Sequence, residues 1–470
     1  MWTRLWIIII LLGINNIDTV TRASNNSEIS QITKFSDNIL LSTTDDLYPH
    51  HVEVTMAISD QDAIFVGWKN ALTHYGPGVR VSFTRSLDNG RSWSDPFNMP
   101  HFNGLDTKQS DPWMIWNNGV LYYAYMDYMG DFGEGFSQLT VATSFDNGET
   151  WNPVTASNNL GLADKETIAV SDDGTIYVAY SDFVLNNEIE KEYMRVSSST
   201  DGGLTYYEKS VIAEDDIGYP YVTTDSFNRV YVAYVRFTDG RWGDVYLSSS
   251  NDGGLTFSDG RDINRDSENA TSDAGTGLSR LTLPNIRFDQ NNRLYALWAA
   301  KLEEGGEWDI YIRYSDDYGE SWGPRYRVNP TIAGMQWHPD MDFDSEGRCH
   351  IVYYEQKENS YKPYYRMITF PRDSTSDPIF SETIPVANVS TPAPYNRRPG
   401  EYFTIRLDSK DIPHVVWSDG REGEMDIYYS HGVTPETSAT SFIGFPLSIG
   451  VLIVFILMTH RKKRIKTISE

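Results

Sequence analysis

Cysteine is almost absent from this chain. Its 470 residues hold one, Cys349, so no intrachain disulfide can form, and a thiol inside an apolar run reads as an inert core residue. Positive charge is scarce too: 39 Lys and Arg stand against 65 Asp and Glu, a formal net charge of −26. Such a surface repels phosphate backbones, which counts against nucleic acid as a partner. What is present rules out a disordered acidic chain. Aromatics make up 13% of the residues, with 30 Tyr and 13 Trp beside 35 Gly. That is the composition of many short strands joined by tight turns.

The ends set the compartment. Arg4, the apolar run Leu5–Leu12 and the small-residue site Thr21-Arg22-Ala23 read as a secretory signal over 1–23; a retained N-terminal helix is the alternative. After a linker at 434–441, the uncharged stretch Phe442–Met458 is followed by Arg461-Lys-Lys-Arg464. This reads as a short membrane-spanning helix over 442–459 with a basic cytoplasmic tail over 460–470. A cleavable sorting signal is the rival. Either way a linker at 24–34 and the large segment 35–433 lie outside the cell, and the bases of the tail cluster at 461–466. Sequons at Asn25, Asn269 and Asn388 fit an exported surface.

Between the ends one unit recurs. Ile64-Phe-Val-Gly-Trp68, Leu121-Tyr-Tyr-Ala-Tyr125, Ile176-Tyr-Val-Ala-Tyr180 and Val230-Tyr-Val-Ala-Tyr234 are followed by Leu294-Tyr-Ala-Leu-Trp298, His350-Ile-Val-Tyr-Tyr354 and His414-Val-Val-Trp417. The spacings are 57, 55, 54, 64, 56 and 64 residues. Each run is apolar on both faces, so its sheet must be covered on both sides, and alternating strands with Gly/Asp turns flank it. About four antiparallel strands per unit, stacked radially around a channel, meet these demands. The predicted fold is all-β, a seven-bladed propeller, with six blades as the alternative. The run Asp37–Ser42 has no unit of its own, and the last unit stops after Ser430; the N-terminal run is therefore predicted to supply the missing outer strand.

Five units carry one turn: Ser86-Leu-Asp88-Asn-Gly90-Arg-Ser92-Trp93, and its counterparts centred on Asp146, Asp201, Asp252 and Asp317. The Asp accepts bonds from turn N–H groups, Gly supplies positive φ, and Ser or Thr closes the turn. Ser-x-Asp-x-Gly-x-Thr-Trp resembles the Asp-box of the sialidase-like β-propellers, and the resemblance covers roughly the whole exported segment. It implies that these acids are structural and lie on the face away from an active site. The sixth unit has Arg372-Asp373-Ser374 instead.

In a propeller, the loops leading into the innermost strands converge on one mouth. Here they read Pro49-His50-His51, Ser110-Asp111-Pro112, Asp164-Lys165-Glu166, Gly218-Tyr219-Pro220 and Leu283-Pro284-Asn285. Trp337-His338-Pro339-Asp340 and Arg397-Arg398-Pro399-Gly400-Glu401 complete the set. The loops after the second strands add Asp127–Glu134, Arg236, Arg241-Trp242 and Arg421. Aromatics beside acids and arginines suit sugars; for Asp-Gly-Arg a simple turn explains the residues as well. The resemblance implies arginines on a sugar carboxylate, an Asp acid/base and a Tyr–Glu pair. On that basis Asp111, Glu166, Arg398, Glu401 and Tyr219 are the catalytic candidates. His51, Arg236, Arg241, Trp242, Trp337, His338, Asp340, Arg397 and Arg421 are the substrate-binding candidates. Arg-Ile-Pro, with which the family begins its first inner strand, is absent; Arg398-Pro399 is the nearest echo. No cofactor is expected, and a metal is left open at His51, His338 and Asp340, whose spacing is not metal-specific. The expected partner is an extracellular carbohydrate or glycoprotein, met as an enzyme or as a binding module; a protein-assembly scaffold is the third reading.

Overall fold

The computed structural model describes residues 32–435 other than 43–47, 73–77, 102–106, 130–136, 158–160, 187–188, 238–241, 265–273, 276–283, 302–306, 374–375, 393–399 and 401. At 185–186, 189–190, 209, 242 and 274–275 the backbone alone is described. The expected signal segment, spanning helix and basic tail lie outside these residues. Among those described there is no helix, hence none long and apolar enough to cross a membrane.

Residues 32–433 pack as one all-β propeller. Each repeated aromatic run is the second strand of an antiparallel meander: Ile64–Ala71, for example, lies between His50–Ile58 and Gly78–Ser86. The seven expected independent four-stranded sheets are not what forms, because the strands join into six sheets. Five of these hold one blade apiece. In the sixth, eight strands run together, because Leu162 pairs in parallel with Ser137 and joins the meander beginning at Lys108–Asn117 to the one beginning at Leu162–Val170. The repeat period in the sequence reports the meanders and carries no signal for this single cross-link.

The aromatic runs are two-faced because neighbouring sheets pack on both sides of them. Tyr123 donates its hydroxyl to the Ser82 carbonyl of the preceding sheet at 2.9 Å. A Cβ on Gly67 would lie 2.3 Å from that hydroxyl oxygen, which explains glycine in the first run. Cys349 is buried against Met341, and burial pushes its thiol far above the usual range.

Closure follows the expectation. Ile39–Leu40 pairs with Tyr428–Tyr429, and Lys34–Phe35 pairs with Gly432–Val433. The last sheet is therefore built from both ends of the described chain. Ile32, Phe35 and Leu41 are buried there.

The repeated turn takes the expected form. Asp88 accepts from the Ser92 N–H at 2.8 Å and the Ser92 hydroxyl at 2.6 Å, while Ser86 Oγ accepts the Gly90 N–H at 2.8 Å. Asp146, Asp201, Asp252 and Asp317 make the same bonds with Thr150, Thr205, Thr256 and Ser321. Hydrogen bonds from Ser92, side chain first, hold Asp88 down at about 2. These carboxylates are occupied by folding.

Candidate functional site

One local device builds the site. Near the start of five innermost strands the register slips, between Val52 and Thr55, Ser110 and Trp113, Asp164 and Thr167, Gly218 and Tyr221, and Trp337 and Asp340. Each slip leaves a non-glycine residue in the left-handed region: Glu53 (φ 56), Asp111 (φ 52), Lys165 (φ 57), Tyr219 (φ 58) and His338 (φ 47). Such backbone costs on the order of 1–3 kcal/mol per residue and persists where surrounding structure enforces it. Its effect is to place one chemically distinct residue from each of these strands on one tier at the channel mouth.

The tier is wired together across sheets. Lys69 Nζ donates to Glu53 Oε1 at 2.8 Å, and the Asp111 N–H donates to Glu53 Oε2 at 3.2 Å. Lys165 Nζ donates to Asp111 Oδ1 at 2.6 Å, and the Tyr402 hydroxyl donates to the same oxygen at 3.0 Å. Ser110 Oγ donates to Asp111 Oδ2 at 2.7 Å. Trp113 stands edge-on to both Tyr221 and Tyr402.

Glu166 follows Lys165 in the same slip. It is fully buried and neither carboxylate oxygen has a hydrogen-bond partner. Burial, with the negative charge of Asp111 added to it, pushes this carboxyl well above the usual range. Burial acts on Asp111 in the same direction, but the charges of Lys165 and Lys69 and the bonds from Lys165 and Ser110 overcome it. The Asp111 carboxyl is thus held below the usual range. Burial, then the Asp111 charge, keeps the Tyr402 phenol neutral far above its ordinary range. The site sets a carboxyl held low beside a carboxyl pushed high, the kind of separation that acid–base chemistry uses.

Of the catalytic candidates, the structure brings Asp111 and Glu166 into one charge network. Tyr219 shares their tier, with its ring packed against Phe237. Arg397, Arg398, Glu401 and Arg241 lie outside the described residues, as does the Trp242 side chain. The binding candidates are spread around the ring. His51 is buried against Asn70, 2.6 Å from Nδ1 to Oδ1. Trp337 is packed among His338, Tyr354 and Tyr361. Asp340 is buried one step further down the channel, taking bonds from Asn285, the Ile405 N–H and Arg406. Arg236 is exposed over the Tyr246 ring. Arg421 is locked to Asp419 with Nε at 2.9 Å and reaches Asn388 at 2.8 Å, a closed turn. Among the described residues no group of His, Cys, Asp or Glu could hold a metal ion.

Tyr402, Lys165, Glu53 and Lys69 belong to the site without having been singled out. Tyr402 and Lys165 adjoin chosen residues. The signal that finds Glu53 is register: it lies two positions before Thr55, which pairs with Gly67 of the aromatic run. Glu192 is a further titratable group near this mouth, in the charge field of Asp164, and burial first of all pushes it up to about 8. A raised folded value means that its contribution to stability is complete below about 4.5 and is lost as pH rises through about 8. Glu192→Gln is therefore expected to gain stability relative to the parent by up to about 1.4 kcal/mol per pH unit across that window. Denaturant unfolding at a series of pH values measures it, and parallel curves would show an ordinary glutamate.

No protein-family profile and no curated protein matches the chain. Among solved structures it is similar to a PL25 ulvan lyase bound to -[GlcA(1-4)Rha3S]-, at 14% identity and TM-score 0.50, covering 86% of this chain and 96% of that one. It is also similar to the Trypanosoma rangeli sialidase in complex with the inhibitor DANA, at 12% identity and TM-score 0.48, covering 71% of this chain and 58% of that one. A third is the GH93 α-L-arabinofuranosidase of Fusarium graminearum in complex with arabinobiose, at 12% identity and TM-score 0.44, covering 85% and 98%. At these identities the likeness is one of fold alone, a β-propeller.

Proposed function

We propose that this chain is a cell-surface, membrane-anchored propeller that acts on extracellular glycans, with its chemistry at Glu166, Tyr402 and Asp111. The observation that carries the reading is the Asp111–Tyr402–Lys165 contact with the unpartnered, buried Glu166 beside it. The repeated aromatic runs, each the second strand of a meander, supply the ring of inner-strand loops on which this site is built. Likeness in fold to a propeller lyase bound to -[GlcA(1-4)Rha3S]- is consistent with a carbohydrate partner.

The roles follow from the electrostatics. Asp111 is too acidic to be an effective base, so it orients the Tyr402 hydroxyl and holds the Lys165 ammonium. Glu166 is the group with a proton to give, and its place is at the leaving oxygen of a glycosidic bond. Tyr402, aligned by Asp111, faces the same reaction as nucleophile or proton carrier.

The test is to incubate the purified full-length chain with sialosides and a panel of neutral and anionic glycans and to follow product release chromatographically. Release that is lost in Asp111→Asn supports the enzyme. Binding without release instead supports a glycan-binding propeller, a reading favoured by the burial of Asp111, Glu166 and Tyr402. Neither binding nor release would leave the scaffold reading.

A further inference from the structure

The central channel has a second polar centre, and it lies at the other end. The innermost strands run from the mouth described above toward turns such as Asp289–Asn292, where the Asn292 N–H donates to the Asp289 carbonyl at 3.0 Å. Arg287 is two residues before that turn, on Asn285–Phe288, and Arg406 holds the matching place on Thr404–Leu407. Both line a cavity of ≈ 240 Å³ together with Trp113, Trp116, Tyr221 and Thr223. Among the described residues no carboxylate lines it. A second hollow of ≈ 360 Å³ shares Thr223 and Arg287 and opens on the turn side of the ring, beside Gln290 and Ser345; unlike the first, it is lined by the carboxylates Asp342 and Asp344.

The two guanidinium groups are braced from behind. Arg406 Nη1 donates to Asp340 Oδ2 at 2.8 Å and to its own Ile405 carbonyl at 2.5 Å. Arg287 Nη1 stands 3.6 Å from Asp342 Oδ1, while its Nε is buried with no partner. An N–H buried in this way is costly unless something accepts it. Apart from Thr223 the rest of the wall is aromatic or apolar. A cationic edge with an open donor, set in an apolar chamber, matches an anion with an apolar body. The volume is below the usual range for drug-sized ligands, about 300–1,000 Å³, so the ligand is small.

We propose that the turn-side end of the channel is a second ligand site, distinct from the Asp111–Glu166 mouth, which takes a small carboxylate with an apolar or aromatic body against Arg287 and Arg406. It does not depend on the glycan reading, because no residue of the Glu53–Asp111–Lys165–Glu166–Tyr402 network is used.

Benzoate, neutral benzamide and inorganic phosphate are the probes, titrated calorimetrically into the full-length chain. Saturable binding of one benzoate per chain is expected, with benzamide and phosphate each at least tenfold weaker. Arg287→Gln is expected to weaken benzoate at least tenfold, and Arg287→Lys to recover part of the loss. Ala169→Leu, which fills the cavity while keeping both arginines, is expected to abolish binding; thermal unfolding checks that each variant is folded. No saturable benzoate binding would overturn the proposal, leaving the arginines as braces between sheets. So would benzamide or phosphate binding as tightly as benzoate, or benzoate affinity unchanged in Ala169→Leu.

Discussion

Glu166→Gln is expected to cut turnover of a cleaved glycan by about 10²–10⁴-fold, the usual worth of a positioned general acid, with little change in substrate binding. The reasoning is electrostatic. The parent residue is buried, lacks partners and sits in the field of ionised Asp111, so it keeps its proton where ordinary glutamates have lost theirs. An amide of the same shape fills the space and has no proton to transfer. The pH profile gives a readout that a packing defect would not imitate. Activity in the parent should fall as pH rises through the raised Glu166 value, and that alkaline limb should vanish from the residual activity of the variant. Asp111→Asn should behave differently. It leaves the partly buried Lys165 ammonium without the carboxylate it contacts at 2.6 Å and with only Asp164, at 3.5 Å, beside it, so a stability loss of about 1–3 kcal/mol should accompany the loss of activity. Steady-state kinetics with denaturant unfolding on both variants separates the two roles.

Removing residues 32–42 is expected to abolish cooperative folding, the largest structural effect in the molecule. With no disulfide available, the ring is closed by pairing of Lys34–Phe35 and Ile39–Leu40 with Asp426–Val433. The segment also buries Ile32, Phe35 and Leu41, and its Ser42 hydroxyl donates to Asp426 Oδ1 at 2.8 Å. Deletion would expose the edge of the last sheet and open an apolar face to water. A milder form, Phe35→Ala, should cost about 3–5 kcal/mol and keep the fold. Circular dichroism melts would show a single transition for the parent and Phe35→Ala and none for the deletion. A deletion variant that melts cooperatively near the parent temperature would show that the closure is dispensable.

The parts of the fold legible in the sequence are those with a local cause. The aromatic runs are two-faced because a neighbour covers each side, as Tyr123 shows in reaching Ser82, and the Ser-x-Asp-x-Gly turns satisfy themselves within a few residues. The unpaired run at 37–42 was legible because a sheet lacked a strand. The merged eight-stranded sheet was not, since it depends on one parallel pair, Leu162 with Ser137. For the site, the order Ser110-Asp111-Pro112 and Asp164-Lys165-Glu166 pointed to the right strand starts. Which residue of each triplet matters is decided by the register slips, and no composition rule announces those. Tyr402 is bound to Asp111 across 291 positions of chain, a contact only ring closure can create. Arg421 shows the converse: a promising Asp-Gly-Arg that the fold uses on itself.

The chemistry rests on one claim, that a neutral Glu166 and an ionised Asp111 share the channel mouth. Infrared difference spectroscopy, parent minus Glu166→Gln, measures it directly by following the protonated-carboxyl stretch through a pH titration. The band assigned to Glu166 should persist above the pH, about 5–6, at which ordinary glutamates have ionised. A band that disappears in step with ordinary surface glutamates would contradict the account, because Glu166 would then hold no proton to give.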